Sequence, residues 1–160
     1  MPLKINLRHL EENEVELNGA TPAQELGLDH LDELIHAENP VHYQLVAQKL
    51  NDQILVRGRL FLTLRCECVR CLKNFDLALD LPQWALHLPL EGEDKVDVVN
   101  DCVDLTPYVR EDILLEFPQH PLCGRDCAGL PSRTDVRAKN GASQTREASA
   151  WSELNKLKFE

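Results

Sequence analysis

The sequence predicts an α+β protein in which an antiparallel, β-rich sheet or partial barrel carries a few short helices. Two patterns support this fold class. From Val56 to Cys66, apolar residues alternate with charged or polar ones, as expected of a strand with one buried face. From Leu105 to Phe117, apolar residues recur at four-residue spacing, which is typical of an amphipathic helix packed on a core.

Further strands are expected on both sides of the alternating segment. Asn51 and Asp52 form a turn signal within one strand-like region. Pro82 interrupts another region, because proline cannot donate a hydrogen bond to the ladder of a sheet. The additional strands are predicted at residues 4–7, at 41–56 with the turn inside this range, at 75–81 and at 83–88.

Helices are expected in two places. Residues 11–40 indicate one or two short helices, one of which would begin at the pair Thr21-Pro22, with threonine as the cap and proline in the first turn. The pair Thr106-Pro107 offers the same arrangement for the helix that follows, and Pro118 would end that helix.

The chain is predicted to consist of three parts. Residues 1–131 form a β-rich domain with paired-cysteine loops, and residues 132–148 are polar and poor in apolar side chains, as in a linker. Residues 149–160 form a short amphipathic C-terminal helix. The apolar stripe of this helix is predicted to dock on another surface and consists of Trp151, Leu154 and Leu157.

The acidic charge of the chain is unevenly distributed. Its formal net charge is −10 over 160 residues. Residues 132–160 hold six of the 17 Lys and Arg residues but four of the 27 Asp and Glu residues, so the acidic excess lies in residues 1–131. Because phosphate groups are repelled by an acidic surface, any contact with nucleic acid is expected to be local.

Several protein classes have no support in the sequence. The apolar runs are shorter than the roughly 20 residues that a membrane helix needs, and residues 1–12 lack the apolar core of a signal peptide. We therefore expect a cytoplasmic protein without a membrane partner. No phosphate-binding glycine loop, G-x-S-x-G, H-E-x-x-H or dinucleotide fingerprint occurs. Neither an enzymatic activity nor a small-molecule substrate is predicted.

Two cysteine pairs form the main candidate site. Cys68 and Cys71 make a C-x-x-C motif just after the alternating strand, and Cys123 and Cys127 make a C-x-x-x-C motif after the helix. Two pairs of thiolates on separate loops can complete the tetrahedral coordination of a zinc ion. We therefore predict these four residues as ligands of a structural zinc ion.

Other interpretations of the cysteines remain open. The pairs could be reduced thiols without metal, or they could carry redox or disulfide chemistry. A thioredoxin-like motif would open a helix, whereas this C-x-x-C pair follows an antiparallel strand. Cys66 is expected in the core and Cys102 in the core or at the surface. His120, three residues before Cys123, could replace a ligand but is interpreted as an ordinary loop histidine.

A basic patch precedes and includes the first cysteine pair. Arginine binds phosphate in a bidentate manner, and an exposed aromatic ring can stack on a base. The patch is therefore predicted to contact RNA or an acidic protein surface. The alternative is a solvated sheet face whose arginines pair with acids on a neighbouring strand. The candidate contact residues are Arg57, Arg59, Phe61, Arg65, Arg70 and Lys73.

Three stretches of the sequence carry motifs that occur together in one known family. Residues 68–72 read C-x-R-C-L, residues 104–130 combine the helix with C-x-x-x-C-x-G-L, and residues 151–158 end in L-x-x-L-K. In the order and spacing of these motifs, residues 55–158 resemble the YceD family. Many members continue with two more cysteines, at the positions that Pro131 and Thr134 occupy here. The remaining four cysteines still suffice for one zinc ion.

The resemblance to the YceD family implies a role in the accumulation of large-subunit ribosomal RNA and no catalytic activity. We therefore expect a non-catalytic ribosome biogenesis factor that supports accumulation or processing of this RNA. Its expected partners are a large-subunit RNA precursor or ribosomal proteins. The first alternative is a zinc-stabilised protein–protein adaptor. A thiol oxidoreductase is a further alternative that the residues favour less.

Overall fold

The structure is a computed structural model that describes residues 3–29 and 32–131. The chain divides into two units, Met1–Gly129 and Leu130–Glu160, and every described helix and strand belongs to the first. The predicted linker at 132–148 and the predicted C-terminal helix at 149–160 lie outside the described residues. The candidate docking residues Trp151, Leu154 and Leu157 lie outside them as well.

The described residues form a strand-rich α+β fold, which confirms the predicted fold class. The strands are β1 (Lys4–Asn6), β2 (Val15–Thr21), β3 (Ile35–His36), β4 (Val41–Leu50), β5 (Gln53–Glu67), β6 (Asn74–Pro89), β7 (Val98–Val99) and β8 (Cys102–Asp104), and the helices are α1 (Leu7–Glu12) and α2 (Thr106–Leu115). A five-stranded antiparallel sheet contains β2 to β6, and a three-stranded sheet has the order β1-β8-β7. None of the described helices combines the length and the apolar character needed to cross a bilayer.

Strand β5 is the centre of the larger sheet. Strands β4 and β3 pair with one of its edges, and β6 pairs with the other edge along its whole length. Its inner side chains, including Leu60, Leu62 and Leu64, are fully buried. The predicted alternation is therefore confirmed. The outer face of β5 carries Arg57, Arg59, Phe61, Thr63 and Arg65, which are exposed or half-buried.

Two short connections join the three longest strands. Strands β4 and β5 are joined by Asn51 and Asp52, as the sequence predicts, and Asn51 adopts a φ of 52°. Asparagine tolerates this left-handed conformation better than most residues. The connection from β5 to β6 spans residues 68–73 and contains the first cysteine pair. The C-x-x-C motif is therefore the turn of a long hairpin.

Strand β6 is continuous where the sequence predicts two strands separated at Pro82. Gly58 pairs with Trp84 and Leu60 pairs with Leu81, so Pro82 and Gln83 together face Arg59 alone. This arrangement is a β-bulge, and the extra residue accommodates proline within the strand. The prediction of an interruption was wrong because a bulge removes the need for a ladder hydrogen bond at the proline.

Gly58 allows strands β4 and β5 to approach each other closely beside the bulge. A Cβ atom at this position would lie 2.0 Å from the carbonyl oxygen of Gln44 and 2.8 Å from the Cα of Leu45. The φ of Gly58 is 156°. Only glycine accommodates this combination of backbone contact and backbone conformation.

The N-terminal region differs from the prediction of helices within residues 11–40. Its helix, α1, begins earlier, at Leu7, and strand β2 occupies Val15–Thr21. After Pro22 the chain makes a turn with hydrogen bonds between residues three apart, and Gly27 ends it with a φ of 60°. The proline and the glycine are too close in sequence for more than this turn, so no helix begins at Thr21.

Helix α2 confirms the predicted second helix, and it contributes Val109 and Ile113 to the hydrophobic core. The side chain of Thr106 does not cap it. Its hydroxyl oxygen accepts a hydrogen bond from the backbone N–H of Leu3 at 2.9 Å. Instead, the Asp104 carboxylate accepts a hydrogen bond from the backbone N–H of Thr106 at 2.9 Å. The start of α2 is thereby tied to the N-terminal strand region.

Helix α2 also contacts β6 through a hydrogen bond to a buried tryptophan. The indole N–H of Trp84, which is 6 % exposed, donates to the Asp112 carboxylate at 2.6 Å. We expect Asp112→Ala to lower the free energy of unfolding by about 1–3 kcal/mol, because it leaves a buried donor without a partner. Urea unfolding measures this loss. Asp112→Asn keeps an acceptor and should lose less.

The neighbouring Glu111→Ala serves as the control for this prediction. Glu111 is exposed, so its removal should change the free energy of unfolding by no more than about 0.5 kcal/mol. Equal stability of Asp112→Ala and Glu111→Ala would contradict the importance of the hydrogen bond to Trp84.

Candidate metal centre

The first cysteine pair lies in the tight turn between β5 and β6. The backbone N–H of Cys68 donates to the carbonyl of Lys73, and the N–H of Leu72 donates to the carbonyl of Cys68, both at 2.9 Å. Leu72 adopts a left-handed φ of 57°, which reverses the chain. Cys68 is buried and Cys71 is half-buried. The turn directs both side chains towards the segment that follows α2.

The second cysteine pair lies in the segment after α2. The backbone N–H of Val69 donates to the carbonyl of Pro121 at 3.0 Å and so joins this segment to the hairpin turn. Within the loop, the N–H of Cys127 donates to the carbonyl of Gly124 at 3.3 Å. Cys123 is exposed and Cys127 is half-buried. A backbone hydrogen bond therefore connects the two loops independently of the cysteine side chains.

The four sulfur atoms have the spacing of a tetrahedral thiolate site. All four Sγ atoms lie within 4.8 Å of one another. The distance from Cys68 Sγ to Cys127 Sγ is 3.8 Å, and that from Cys71 Sγ to Cys123 Sγ is 3.7 Å. Zinc–sulfur bonds of about 2.3 Å at tetrahedral angles imply about 3.8 Å between sulfurs. A disulfide would require about 2.05 Å, so these residues fit a zinc ion.

The electrostatics of the cluster also favour a cation. Backbone N–H groups of Cys123 and Cys71 donate towards the Cys68 sulfur and lower the pKa of Cys68 to about 6. Hydrogen bonds with the side chains of Cys127 and Cys71 raise the pKa of Cys123 to about 12. A bound cation would compensate the mutual repulsion of four thiolates at this spacing.

The remaining metal-ligand candidates lie outside the cluster. Among the described residues, the group that could hold a metal consists of the four predicted cysteines and does not include His120. Cys66 is 1 % exposed in the core, where burial raises the pKa of its thiol, and Cys102 is half-buried in β8. The site is geometrically complete without a cysteine at Pro131.

The predicted contact residues lie on the outer face of β5 and in the turn that follows. Arg59 is engaged by Asp80 of β6 through two hydrogen bonds, of 2.7 Å from Nε and 2.8 Å from a terminal nitrogen. This pairing, which the sequence left as an alternative, lowers the pKa of the Asp80 carboxyl and raises that of Arg59. Arg65 lies in register with Asp76. Arg57, by contrast, lies between the uncharged Val46 and Ala85.

Sequence reasoning missed two residues that border this face. His42 and Gln44 of β4 lie in register with Phe61 and Arg59 of β5. Both residues are exposed on β4. The register of the β4–β5 hairpin, which the turn at Asn51 fixes, would have placed them beside the β5 residues.

The fold and the cysteine cluster define the class of this protein: a small, strand-rich α+β protein with a paired-cysteine centre suited to a metal ion. The chain belongs to the YceD family. The family model described as "Large ribosomal RNA subunit accumulation protein YceD" matches residues 56–158, a range that contains most of β5 and both cysteine loops. This match confirms the resemblance seen in the sequence. The family name refers to accumulation of the large-subunit ribosomal RNA.

The chain is also similar to a protein of Mycobacterium leprae (strain TN) described as "Uncharacterized protein ML1660". The two are 24 % identical over 128 residues, which cover 74 % of this chain and 59 % of the relative. The chain therefore spans about three fifths of the length of that relative. No solved structure matches the chain.

Proposed function

We propose that this protein supports the accumulation of large-subunit ribosomal RNA as a non-catalytic factor that binds the RNA on the outer face of β5. A structural zinc ion would be bound by the four cysteines at the end of that strand. The proposal rests mainly on one observation: the basic face and the cysteine site adjoin each other. The basic outer face of β5 leads directly into the turn that supplies Cys68 and Cys71.

The zinc part of the proposal rests on the completeness of the cysteine set. Four protein ligands leave no open coordination position, which is the arrangement of structural rather than catalytic zinc. Bound zinc would join the β5–β6 turn to the segment after α2. Its function would be to hold Arg70 and Lys73, both exposed in the turn, in a fixed position relative to β5.

The RNA part of the proposal rests on the position and availability of the basic residues. Arg57 and Arg65 are exposed and are about 26 Å apart along the strand, at roughly 3.3 Å per residue. Arg57 has uncharged cross-strand neighbours in the described sheet. The remainder of residues 1–131 is acidic, so a bound RNA would be confined to this face.

Reversing the charge of the two arginines tests the RNA contact. We expect the double variant Arg57→Glu and Arg65→Glu to bind large-subunit ribosomal RNA on the order of 100-fold more weakly, since hydrogen bonds to charged groups contribute about 1.5–3 kcal/mol each. The dependence of affinity on salt should also become shallower, because fewer counterions are released. Fluorescence anisotropy across a salt series measures both effects.

The double variant Lys4→Glu and Arg8→Glu is the matched control. It produces the same change in net charge on exposed residues of β1 and α1, outside the larger sheet. Its affinity for RNA should therefore remain within a few fold of the wild-type value. Equal weakening by both double variants would attribute the effect to net charge and would contradict a local contact on β5.

A protein–protein adaptor is the second candidate function. Three large apolar side chains on the two cysteine loops are exposed: Val69 by 38 %, Leu72 by 56 % and Leu122 by 36 %. Exposed apolar residues grouped at one end of a domain are typical of a protein contact. Co-sedimentation with large-subunit precursors after ribonuclease treatment separates the two functions, because an adaptor that contacts ribosomal proteins would remain bound to the protein remnant.

A further inference from the structure

A shallow depression lies on the outer face of the sheet where β4 and β5 run side by side. It has a volume of about 290 Å³, and we call it the β4–β5 shelf. The ring centroids of His42 and Phe61 are 6.5 Å apart, with their planes tilted by 37°. The two rings form a bent aromatic surface that is open to solvent. The shelf is lined by His42, Gln44, Arg59 and Phe61.

The charge of Arg59 is largely compensated at the shelf. Asp80 holds its guanidinium group through two hydrogen bonds, and the guanidinium carbon lies 6.0 Å from the centre of the Phe61 ring. The pair with Asp80 thus fixes the guanidinium group over the Phe61 ring. It also leaves the shelf close to neutral. Such a surface is better suited to a flat, uncharged ligand than to a phosphate group.

Gln44 gives the shelf a polar group that can recognise a ring edge. Its amide offers both donors and an acceptor, the combination with which glutamine recognises bases. Strands β4 and β5 approach each other closely at Gly58, where a Cβ atom would meet the carbonyl oxygen of Gln44, and the bulge of β6 lies opposite Arg59. Bulges are frequent beside binding sites, where they redirect a side chain.

We propose that the β4–β5 shelf binds an unpaired nucleobase of single-stranded RNA, a proposal that rests on the RNA-binding function proposed for β5. The base lies on the rings of Phe61 and His42, and its edge bonds to the amide of Gln44. The phosphate beside it contacts Arg57, two residues before Arg59 on the same face of β5 and without an acidic neighbour across the strands.

This arrangement predicts a preference for single strands. The bases of a duplex are stacked and paired, so their faces are not available to an aromatic surface, whereas unpaired bases can turn outward and stack on it. Arginine contacts to phosphate do not make this distinction. The shelf and the basic residues therefore contribute separable properties: the shelf selects unpaired RNA, and Arg57 attracts any RNA.

The test compares a short fluorescent single-stranded RNA with the same RNA annealed to its complement. The wild-type protein should bind the single strand more tightly. Phe61→Ala should weaken binding of the single strand by about 10–100-fold, as expected for loss of base–aromatic stacking, with little effect on the duplex. Gln44→Ala should weaken binding of the single strand less than Phe61→Ala does. Phe61→Tyr keeps an aromatic ring and should therefore retain binding. Thr63→Ala, on the same face of β5, is the control and should bind as the wild type does.

Each outcome separates the shelf from the wider RNA-binding face. Two results would each contradict base binding at the shelf. One is equal affinity of the wild type for single-stranded and duplex RNA, and the other is wild-type affinity of Phe61→Ala for the single strand. If Arg57→Glu still weakens binding in that case, the RNA contact of β5 stands without the shelf. If Arg57→Glu also binds normally, the RNA-binding function fails together with the shelf.

Discussion

We expect Cys68→Ser to bind zinc at least about 100-fold more weakly than the wild type, because even residues that only support a metal ligand contribute about 10–100-fold to affinity. A ligand present at about 1,000 times its dissociation constant stabilises a protein by about 4 kcal/mol. A 100-fold weaker affinity would remove about 2.7 kcal/mol of this stabilisation and lower the melting temperature by roughly 5–10 °C. Zinc analysis of protein purified without chelator, together with thermal unfolding, measures both effects.

Two further variants test whether these effects depend on the metal. Cys123 is exposed, so Cys123→Ser should remove zinc with little disturbance of core packing. Cys102→Ser changes a cysteine of β8 outside the cluster and should retain zinc and stability. Wild-type protein with far less than one zinc ion per chain, or a Cys123→Ser variant with full zinc content, would overturn the four-cysteine site.

We expect Gly58→Ala to lower the free energy of unfolding by about 4 kcal/mol. The added methyl group would meet the backbone of β4, where the carbonyl oxygen of Gln44 lies 2.0 Å from its position. Neither strand can yield easily, since β5 also pairs with β6 on its other edge. Overpacking costs about 1–3 kcal/mol, and an unfavourable backbone conformation adds a similar amount. Urea unfolding gives this value.

Gly92→Ala separates the cost of the backbone conformation from the cost of overpacking, both of which are expected at Gly58. Gly92 also has a positive φ, 102°, but nothing lies within 4 Å of the position of its Cβ. Its substitution should therefore cost about 1–2 kcal/mol, from backbone strain alone. Similar losses for both variants would contradict the close approach of β4 and β5 at Gly58.

The local patterns of the sequence were sufficient to predict much of the fold. The alternation on β5 identified its buried face, because a side-chain period of two is a property of any extended strand. The turn at Asn51 and helix α2 were also predicted, since their residues define them locally. The two cysteine pairs were grouped as one candidate site, and the structure brings their sulfur atoms together.

The features that the sequence did not reveal depend on contacts between distant residues. The bulge at Pro82 depends on pairing with β5, so a proline that signals interruption in a single strand is accommodated in the sheet. The compensation of Arg59 by Asp80 depends on the same register. The shelf likewise needs β4 and β5 together. The turn after Pro22 was mistaken for a helix, because its first residues favour both structures.

The location of the first cysteine pair has a consequence for the order of folding. Strands β4, β5 and β6 are consecutive and joined by short turns, so their contacts form between near neighbours in the sequence, which favours rapid folding. Cys123 lies 52 residues after Cys71 and follows α2 in the chain, so we expect it to join the site after the hairpin has formed. Half of the site would therefore exist early as a bidentate thiolate chelate. If the proposed metal ion binds there first, it would help to position the second half, and metal supply would then influence the rate of the final folding step.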